Sequence, residues 1–263
     1  MKRMSKFLSL TLACALALAL AACGGKNKET GLVVFAAASM QETLTEIGEN
    51  HRKDHPGITL TFNFDSSGAL QTQIEEGAVC DAFISAGQKQ MDALDEGGYV
   101  LSGSRFDLLE NKMALAVPEG NPAGINSYDD LKAGLEAGTV FLAMGNSDVP
   151  VGQYTQKILA YFGLDEAALA SAGCITYGSN VKEVTAQVAE GVVDCGIIYG
   201  TDAFSAGLTV VDTATEEMCG QVIYPAAVLS GSERQDEAQA FLDYVRSGSG
   251  AAVLERVGFT PLG

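Results

Sequence analysis

The sequence predicts an α/β protein in which mixed, mostly parallel sheets are flanked by helices. Short apolar runs typical of strands alternate with segments in which apolar residues recur at helical spacing. In the opening unit, the apolar run over residues 32–35 stops at three alanines, and Met40, Leu44 and Ile47 then fall on one helical face. Such alternation favours parallel strand pairs with helices on both faces of the sheet. A chain of 263 residues that is 47% hydrophobic suffices for one large domain or two lobes.

The later elements continue this alternation. Strands are predicted over residues 58–64, 82–86, 112–117, 139–143, 193–198 and 221–229, and helices over 65–77, 88–96, 150–163, 179–191, 235–246 and 251–257. Pro118 closes a strand where we expect the chain to enter a second lobe. Pro225 cannot donate to a ladder, which indicates a sheet edge or the return crossing. We therefore assign residues 31–112 and 224–263 to lobe 1, and residues 113–223 to lobe 2.

The N-terminus predicts export and lipid attachment. A basic start precedes an apolar stretch over residues 7–22, too short for a comfortable membrane span and typical of a secretory signal. Leu-Ala-Ala-Cys at 20–23 resembles the bacterial lipobox, whose cysteine is acylated. We expect residues 1–22 to be a lipoprotein signal peptide and residues 23–30 a tether lipidated at Cys23, on the extracytoplasmic face of the cell membrane. An ordinary cleavage site beside a chance cysteine is the alternative.

The charge of the mature chain narrows the choice of partners. Without residues 1–22 it carries 13 basic and 33 acidic side chains, a net charge of −20. Nucleic acid is therefore not an expected partner, and an anionic lipid surface is disfavoured, so membrane attachment must come from the lipid. His51 and His55 lie in a charged helix end and are expected to be solvated. We expect a monomer.

Four cysteines remain after the lipidated one: Cys80, Cys174, Cys195 and Cys219. Four cysteines allow three pairings, and their spacing neither selects one nor excludes free buried thiols. No CxxC or Cys/His spacing predicts a metal site, and no cofactor is expected.

Hydroxyl residues stand where predicted strands pass into helices. Ser39 follows the first strand, Ser67 follows the second, and Tyr199 ends the strand over 193–198. Ligands of parallel sheets bind at the carboxyl ends of strands, and a helix N-terminus attracts anions through free N–H groups and its dipole. The alternative is structural: Ser39 and Glu42 have capping-box spacing, and Tyr199 alone is compatible with a core position.

These segments, in this order, resemble the molybdate-binding proteins of bacterial ABC transporters, which have the type II periplasmic-binding-protein fold. The resemblance spans about residue 31 to the end. It rests on Val-Phe-Ala-Ala-Ala-Ser at 34–39, Phe-Asp-Ser-Ser-Gly-Ala-Leu at 64–70, Asp-Ala-Phe-Ile-Ser-Ala at 81–86, Val-Pro-Val-Gly at 149–152, Gly-Ile-Ile-Tyr-Gly at 196–200, Tyr-Pro at 224–225, and Tyr244 with Gly-Phe-Thr at 258–260. It implies a two-lobed solute-binding lipoprotein that captures molybdate, and tungstate with it, in the inter-lobe cleft and delivers it to the membrane permease.

The resemblance also implies the oxyanion ligands. They are the hydroxyls and N–H groups of Ser39 and Ser67, the N–H groups of Val151 and Val181, and the hydroxyl of Tyr199. Molybdenum is expected only as molybdate, with no direct protein–metal ligands.

The chain departs from the family pattern at three positions. Val151 stands where the family commonly has alanine, and we expect its β-branched side chain to narrow the pocket. Asp65 and Gly68 replace small or hydroxyl residues, and Asp65 should disfavour an anion unless it points away. These departures bear on selectivity among oxyanions.

Two other functions deserve comparison. A hydrolase would need a base beside Ser39 or Ser67, and the chain has no triad-like histidine, G-x-S-x-G elbow, Walker loop or dinucleotide fingerprint, so an enzyme is not predicted. A binding protein for another small oxyanion, such as sulfate or a phosphonate, is the alternative. An organic anion usually requires an arginine clamp, and the proposed loops contain no arginine.

Overall fold

The computed structural model describes residues 30–262, in which two β-sheets are flanked by helices. The predicted signal peptide, Cys23 and nearly all of the predicted tether lie outside the described residues. Within the described range, no helix has both the length and the apolar character that a membrane span requires.

The described residues contain eleven strands. They are β1 (Thr30–Ala37), β2 (Ile58–Asp65), β3 (Ala82–Ile84), β4 (Phe106–Asn111), β5 (Met113–Val117), β6 (Leu142–Gly145), β7 (Ile175–Gly178), β8 (Cys195–Tyr199), β9 (Thr209–Thr213), β10 (Val222–Val228) and β11 (Thr260–Pro261). Each strand belongs to one of the two sheets.

The same range contains eleven α-helices. They are α1 (Gln41–Asp54), α2 (Ser67–Glu75), α3 (Gln88–Glu96), α4 (Tyr128–Ala137), α5 (Pro150–Tyr161), α6 (Glu166–Ser171), α7 (Val181–Ala189), α8 (Gly200–Ala206), α9 (Glu216–Cys219), α10 (Gln235–Arg246) and α11 (Gly248–Val257). A short 3-10 turn, Ala38–Met40, joins β1 to α1.

Both sheets are mixed. The first has the order β11-β4-β10-β3-β1-β2, and the second has the order β7-β6-β8-β5-β9. Parallel pairing is confined to β2–β1–β3 and β7–β6–β8, and the remaining pairs are antiparallel. The antiparallel share is larger than predicted. The predicted α/β class with two sheets is confirmed.

The chain passes between the sheets twice. Only Lys112 separates β4 in the first sheet from β5 in the second. The return runs from β9 through α9 to β10, which begins at Val222. The first crossing therefore lies before β5, next to the predicted boundary between residues 112 and 113.

The strand registers bring the carboxyl ends of the parallel strands to one edge of each sheet. Ala37 pairs with Asp65 at the ends of β1 and β2, and Gly145 pairs with Gly178 at the ends of β6 and β7. Helices follow directly from these ends. The N-termini of α2, α5 and α7 therefore gather where the two sheets face each other.

Pro225 lies in β10, the interior strand with which the chain returns to the first sheet, so of the two predicted alternatives the sheet edge is wrong. β10 is flanked by β3 and β4, and the β10–β4 register shifts between Tyr224 and Pro225. A bulge lets the ladder continue past a residue that cannot donate. The Pro225 carbonyl still accepts a hydrogen bond from the Ser85 N–H.

His51 is buried, which corrects the expectation that both histidines are solvated. It lies on the α1 face that also buries Leu44 and Ile47, because helical spacing continues that apolar face to residue 51. Its ring packs edge-on against Phe241 and Tyr244 of α10. The charged neighbours in the sequence lie on the other faces of the helix.

The four cysteines in the described residues are all buried and free. Cys174 precedes β7 and Cys195 begins β8, with β6 between these strands. Two strand spacings amount to about 10 Å, too far for a disulfide. Burial raises the pKa of the Cys80 thiol to about 12, which keeps it protonated and unreactive.

Candidate functional site

A small cavity lies between the two sheets, at the carboxyl ends of their parallel strands. It contains about 210 Å³ of empty space, including adjoining solvent. Its lining residues are Ala37, Ala38, Ser39, Ser66, Ser67, Ala86, Val149, Pro150, Val151, Val181 and Tyr199. All five residues that the sequence selected as ligands are thus brought together around one space.

Ser39 does not cap a helix, so its capping-box interpretation is wrong. It lies in the 3-10 turn between β1 and α1, and no side chain caps α1. The Ser39 Oγ is instead 2.9 Å from the hydroxyl of Tyr224. Asn111 donates to the same tyrosine oxygen at 3.2 Å, and either hydroxyl can be the donor in the Ser39–Tyr224 hydrogen bond.

Ser67 presents its hydroxyl to the cavity as a donor. Its Oγ accepts a hydrogen bond from the Ala86 N–H at 2.9 Å, so its own proton is free to donate. Ser67 is also the first residue of α2, where a backbone N–H has no intrahelical acceptor. The capping role belongs to Ser66, whose side chain accepts from the Ala69 N–H.

Val151 and Val181 supply backbone N–H groups at helix starts. Val151 is the second residue of α5, behind Pro150, and Val181 is the first residue of α7. Amides at these positions have no acceptor inside their own helix and carry the positive end of the helix dipole. The α7 cap is made by Asn180, whose side chain accepts from the Glu183 N–H at 3.1 Å.

Tyr199 ends β8 and is 1% exposed, yet its hydroxyl has no hydrogen-bond partner within residues 30–262. Burial, reinforced by Tyr224, Tyr154 and Asp202, holds the pKa of the Tyr199 hydroxyl well above its ordinary value. The group therefore remains a neutral donor at physiological pH. A buried polar group without a partner is costly, and an acceptor in the cavity would satisfy it.

None of the described residues that line the cavity has a charged side chain. Asp65, which the sequence placed beside the site, accepts a hydrogen bond from the Ser66 N–H at 2.7 Å and does not line the cavity. The cavity thus offers hydroxyls and amides but no cation. Within the described part of the chain, no cluster of three or more histidine, cysteine or acidic residues could hold a metal ion.

The side chain of Val151 packs towards the sheet. A Cβ built on Gly145 in β6 would lie 2.6 Å from the Val151 Cγ1, so Gly145 makes room for the branched side chain. The expected narrowing is therefore offset by the glycine beneath it. The valine is 2% exposed and belongs to the core of the second sheet.

Sequence reasoning did not assign a role to Tyr224 or Asn111. Tyr224 is fully buried, and burial raises the pKa of its hydroxyl well above the usual range, which keeps it a donor. Asn111 joins it to Thr201 through a second hydrogen bond of 2.9 Å. The only signal in the sequence was a tyrosine before Pro225 in a strand.

Comparisons with known proteins place this geometry in a family. A family model described as bacterial extracellular solute-binding protein matches residues 32–260. The molybdate-binding protein ModA of Escherichia coli is 32% identical, with 97% of this chain and 98% of that chain covered. YvgL of Bacillus subtilis, which carries the provisional name ABC transporter substrate-binding lipoprotein, is 34% identical over 89% of this chain and 88% of its own.

The fold is similar to that of a solved molybdate-binding protein. The periplasmic protein from Azotobacter vinelandii superposes with a TM-score of 0.78 over 88% of this chain and all of the other, at 22% sequence identity. This likeness supports the predicted two-lobed periplasmic-binding-protein architecture.

Proposed function

Because the chain belongs to the family of bacterial extracellular solute-binding proteins, we propose that it captures molybdate, and tungstate with it, for an ABC transporter. The proposal covers binding and delivery to a membrane permease, without catalysis. Its ligands would be Ser39, Ser67, Val151, Val181 and Tyr199. The names of several relatives support molybdate as the solute.

The observation that carries the proposal is a small, uncharged cavity that offers only donors towards its centre. The Tyr199 hydroxyl has no partner among the described residues, and the Ser67 oxygen already accepts from the Ala86 N–H, so the Ser67 proton remains available. A fully deprotonated tetrahedral oxyanion presents acceptors in every direction. Each donor can then form a charge-assisted hydrogen bond.

Local dipoles must supply the attraction, because the mature chain has a net charge of −20 and none of the cavity-lining residues within 30–262 is a cation. Each helix N-terminus contributes about 0.3–1 kcal/mol when exposed and more when partly buried. The ends of α2, α5 and α7 all border the cavity.

The same donor set disfavours phosphate. A singly protonated phosphate presents a hydroxyl that needs an acceptor, and an unmade buried hydrogen bond costs about 1–3 kcal/mol. Sulfate has the charge of molybdate but shorter bonds to oxygen, so only the size of the cavity can reject it. Tungstate is nearly isosteric with molybdate and should bind similarly.

Ligand capture would close two lobes over the cavity. We assign residues 31–112 and 224–263 to lobe 1 and residues 113–223 to lobe 2, which follows the division of the strands between the sheets within two residues. Closure would expel water and complete the donor set from both sides. The mature protein would be a monomer, held at the extracytoplasmic face of the membrane by a lipid on Cys23.

Calorimetric titration of residues 24–263 with molybdate, tungstate, sulfate and phosphate tests this function. We expect tight one-to-one binding of the first two and weak or no binding of the others. Comparable sulfate binding would make the protein a broader oxyanion receptor. Absence of binding by all four anions would refute the proposal.

A further inference from the structure

Three charged side chains form a network beside the cavity. The Lys182 Nζ lies 2.7 Å from the Glu42 Oε2 and 2.9 Å from the Asp202 Oδ1. Glu42 is in the first turn of α1, which packs on the first sheet, whereas Lys182 and Asp202 are in the first turns of α7 and α8, which pack on the second. Among the ion pairs of residues 30–262, Glu42–Lys182 alone joins the two lobes.

Asp202 is the fixed end of this network. Its side chain is completely buried, and no hydroxyl or N–H of the described residues donates a well-oriented hydrogen bond to it. Burial raises the pKa of its carboxyl to about 6, and the ammonium of Lys182 opposes that shift. A buried carboxylate requires a compensating charge, so Asp202 holds Lys182 in place.

Lys182 occupies an otherwise unfavourable position for a cation, because the N-terminus of a helix carries the positive end of its dipole. Burial would lower the pKa of Lys182, but Asp202 and Glu42 together outweigh burial and raise it. The lysine is therefore fully charged and bound to both carboxylates. Its position at the helix start is explained by the two acidic partners.

Each member of the network lies close in sequence to a residue that lines the cavity. Glu42 follows Ser39 by three positions, and Lys182 directly follows Val181. A change in the distance between Glu42 and Lys182 must therefore accompany a change in the distance between these two cavity walls.

We propose that the Glu42–Lys182 ion pair is a latch that holds the lobes closed over the bound oxyanion, with Asp202 as the anchor that keeps Lys182 in position. The inference rests on the proposed function and extends it to the residues that maintain closure. In this role Glu42 and Lys182 are positioning residues, since neither lines the cavity.

Glu42→Gln separates the latch from a simple effect of charge. Removal of a negative charge near the cavity should strengthen anion binding by Coulomb's law, whereas loss of a latch should weaken it. Because Glu42 is about half exposed, the substitution should leave the fold intact. We expect the dissociation constant for molybdate to rise about two- to tenfold, as for loss of an exposed to partly buried ion pair.

Glu46→Gln is the matched control. Glu46 lies one turn further along α1 and pairs with Arg256 of α11 within lobe 1, so its replacement makes the same charge change without touching the lobe contact. We expect its affinity for molybdate to stay within about twofold of wild type. An unchanged or increased affinity in Glu42→Gln would overturn the latch, as would an equal loss in both variants.

A measurement without ligand keeps the latch testable if the proposed function fails. Spin labels on Glu76→Cys and Ser171→Cys, exposed positions on the two lobes outside the cavity, report the lobe separation by electron paramagnetic resonance. The native cysteines of residues 30–262 are buried and should not compete for label. Measured with and without molybdate, Glu42→Gln should deplete the shortest distances, those of the closed form, and an unchanged distribution under both conditions would refute the latch.

Discussion

Gly68 and Asp148 face each other across the cleft so closely that no side chain fits on the glycine. A Cβ built on Gly68 would lie 2.3 Å from the carbonyl oxygen of Asp148. Gly68 is the second residue of α2 in lobe 1, and Asp148 lies just before α5 in lobe 2. The close approach of these two segments therefore depends on the absence of a side chain at residue 68.

We expect Gly68→Ala to weaken molybdate binding about ten- to hundredfold. The added methyl group would overpack the contact with Asp148 in the closed form, and such overpacking costs about 1–3 kcal/mol. The same change should leave the ligand-free chain as stable as wild type or up to about 1 kcal/mol more stable, because alanine favours helix. Titration and chemical denaturation measure the two effects. Gly57→Ala, where a Cβ meets nothing within 4 Å, is the control, and wild-type affinity in Gly68→Ala would contradict the steric argument.

Loss of a cavity hydroxyl should reduce affinity without unfolding the protein. Hydrogen bonds to charged groups contribute about 1.5–3 kcal/mol, so Tyr199→Phe and Ser39→Ala should each weaken molybdate binding about ten- to hundredfold. Tyr199→Phe should not lower the melting temperature, since its hydroxyl has no partner to lose. Tyr154→Phe makes the same chemical change at a ring 6.5 Å away that does not line the cavity. Unchanged affinity in both cavity variants would reject this site.

Val151→Ala should affect stability more than binding. Removal of two buried methyl groups costs about 1–3 kcal/mol, including the space left above Gly145. The backbone N–H survives, so molybdate affinity should stay within about threefold of wild type. Val210→Ala, at a residue that is 41% exposed, should cost less than about 0.5 kcal/mol. A large loss of affinity with unchanged stability would show that the side chain itself shapes the binding cavity.

Acid should destabilise the fold through His51. Burial and the neighbouring His55 lower the pKa of His51, with Asp54 acting in the opposite direction. Below about pH 6.5 the unfolded chain then binds more protons than the folded chain, so stability falls as pH falls. We expect His51→Leu to remove this dependence, seen as a smaller drop in melting temperature from pH 7.5 to 5.5.

The difference in acid sensitivity between His51→Leu and wild type separates the effect of His51 from that of Asp202, the buried carboxylate beside Lys182. Asp202, with its pKa raised to about 6, contributes stability that is present below about pH 4 and lost as pH rises through 6. That contribution has the opposite sign and is present in both proteins, so it cancels in the difference. Equal acid sensitivity of wild type and His51→Leu would contradict the prediction.

Local patterns in the sequence predicted most of the longer strands, and they selected five residues that the fold brings around one cavity. Apolar runs that end in small or hydroxyl residues mark the carboxyl ends of strands, and the topology brings these ends together. Strands β4, β7, β9 and β11 were missed, since charged residues interrupt β4, most of β9 is exposed, and β7 and β11 are only four and two residues long. Helices α4, α6, α8 and α9 were missed as well, although Ser127 caps α4.

Contacts between distant segments were beyond a local pattern. Ser39 and Tyr224 lie 185 positions apart, and only the fold shows that their hydroxyls form a hydrogen bond. Nor does any periodicity place Glu42 beside Lys182 across a cleft. The burial of His51 was not predicted because its neighbours in the sequence are charged. The helical spacing that places it on the apolar face of α1 was given less weight than those charges.

In the proposed lobe closure, the short crossing from β4 to β5 would act as a hinge close to the cavity. Lys112 alone separates the strands, and the preceding Asn111 donates to Thr201 on one side and to Tyr224 on the other. Tyr224 in turn contacts Ser39, so two hydrogen bonds connect the pivot to a cavity hydroxyl. A rotation of one sheet against the other would therefore act on the Asn111–Thr201 hydrogen bond, and Asn111 is only two hydrogen bonds away from the Ser39 hydroxyl.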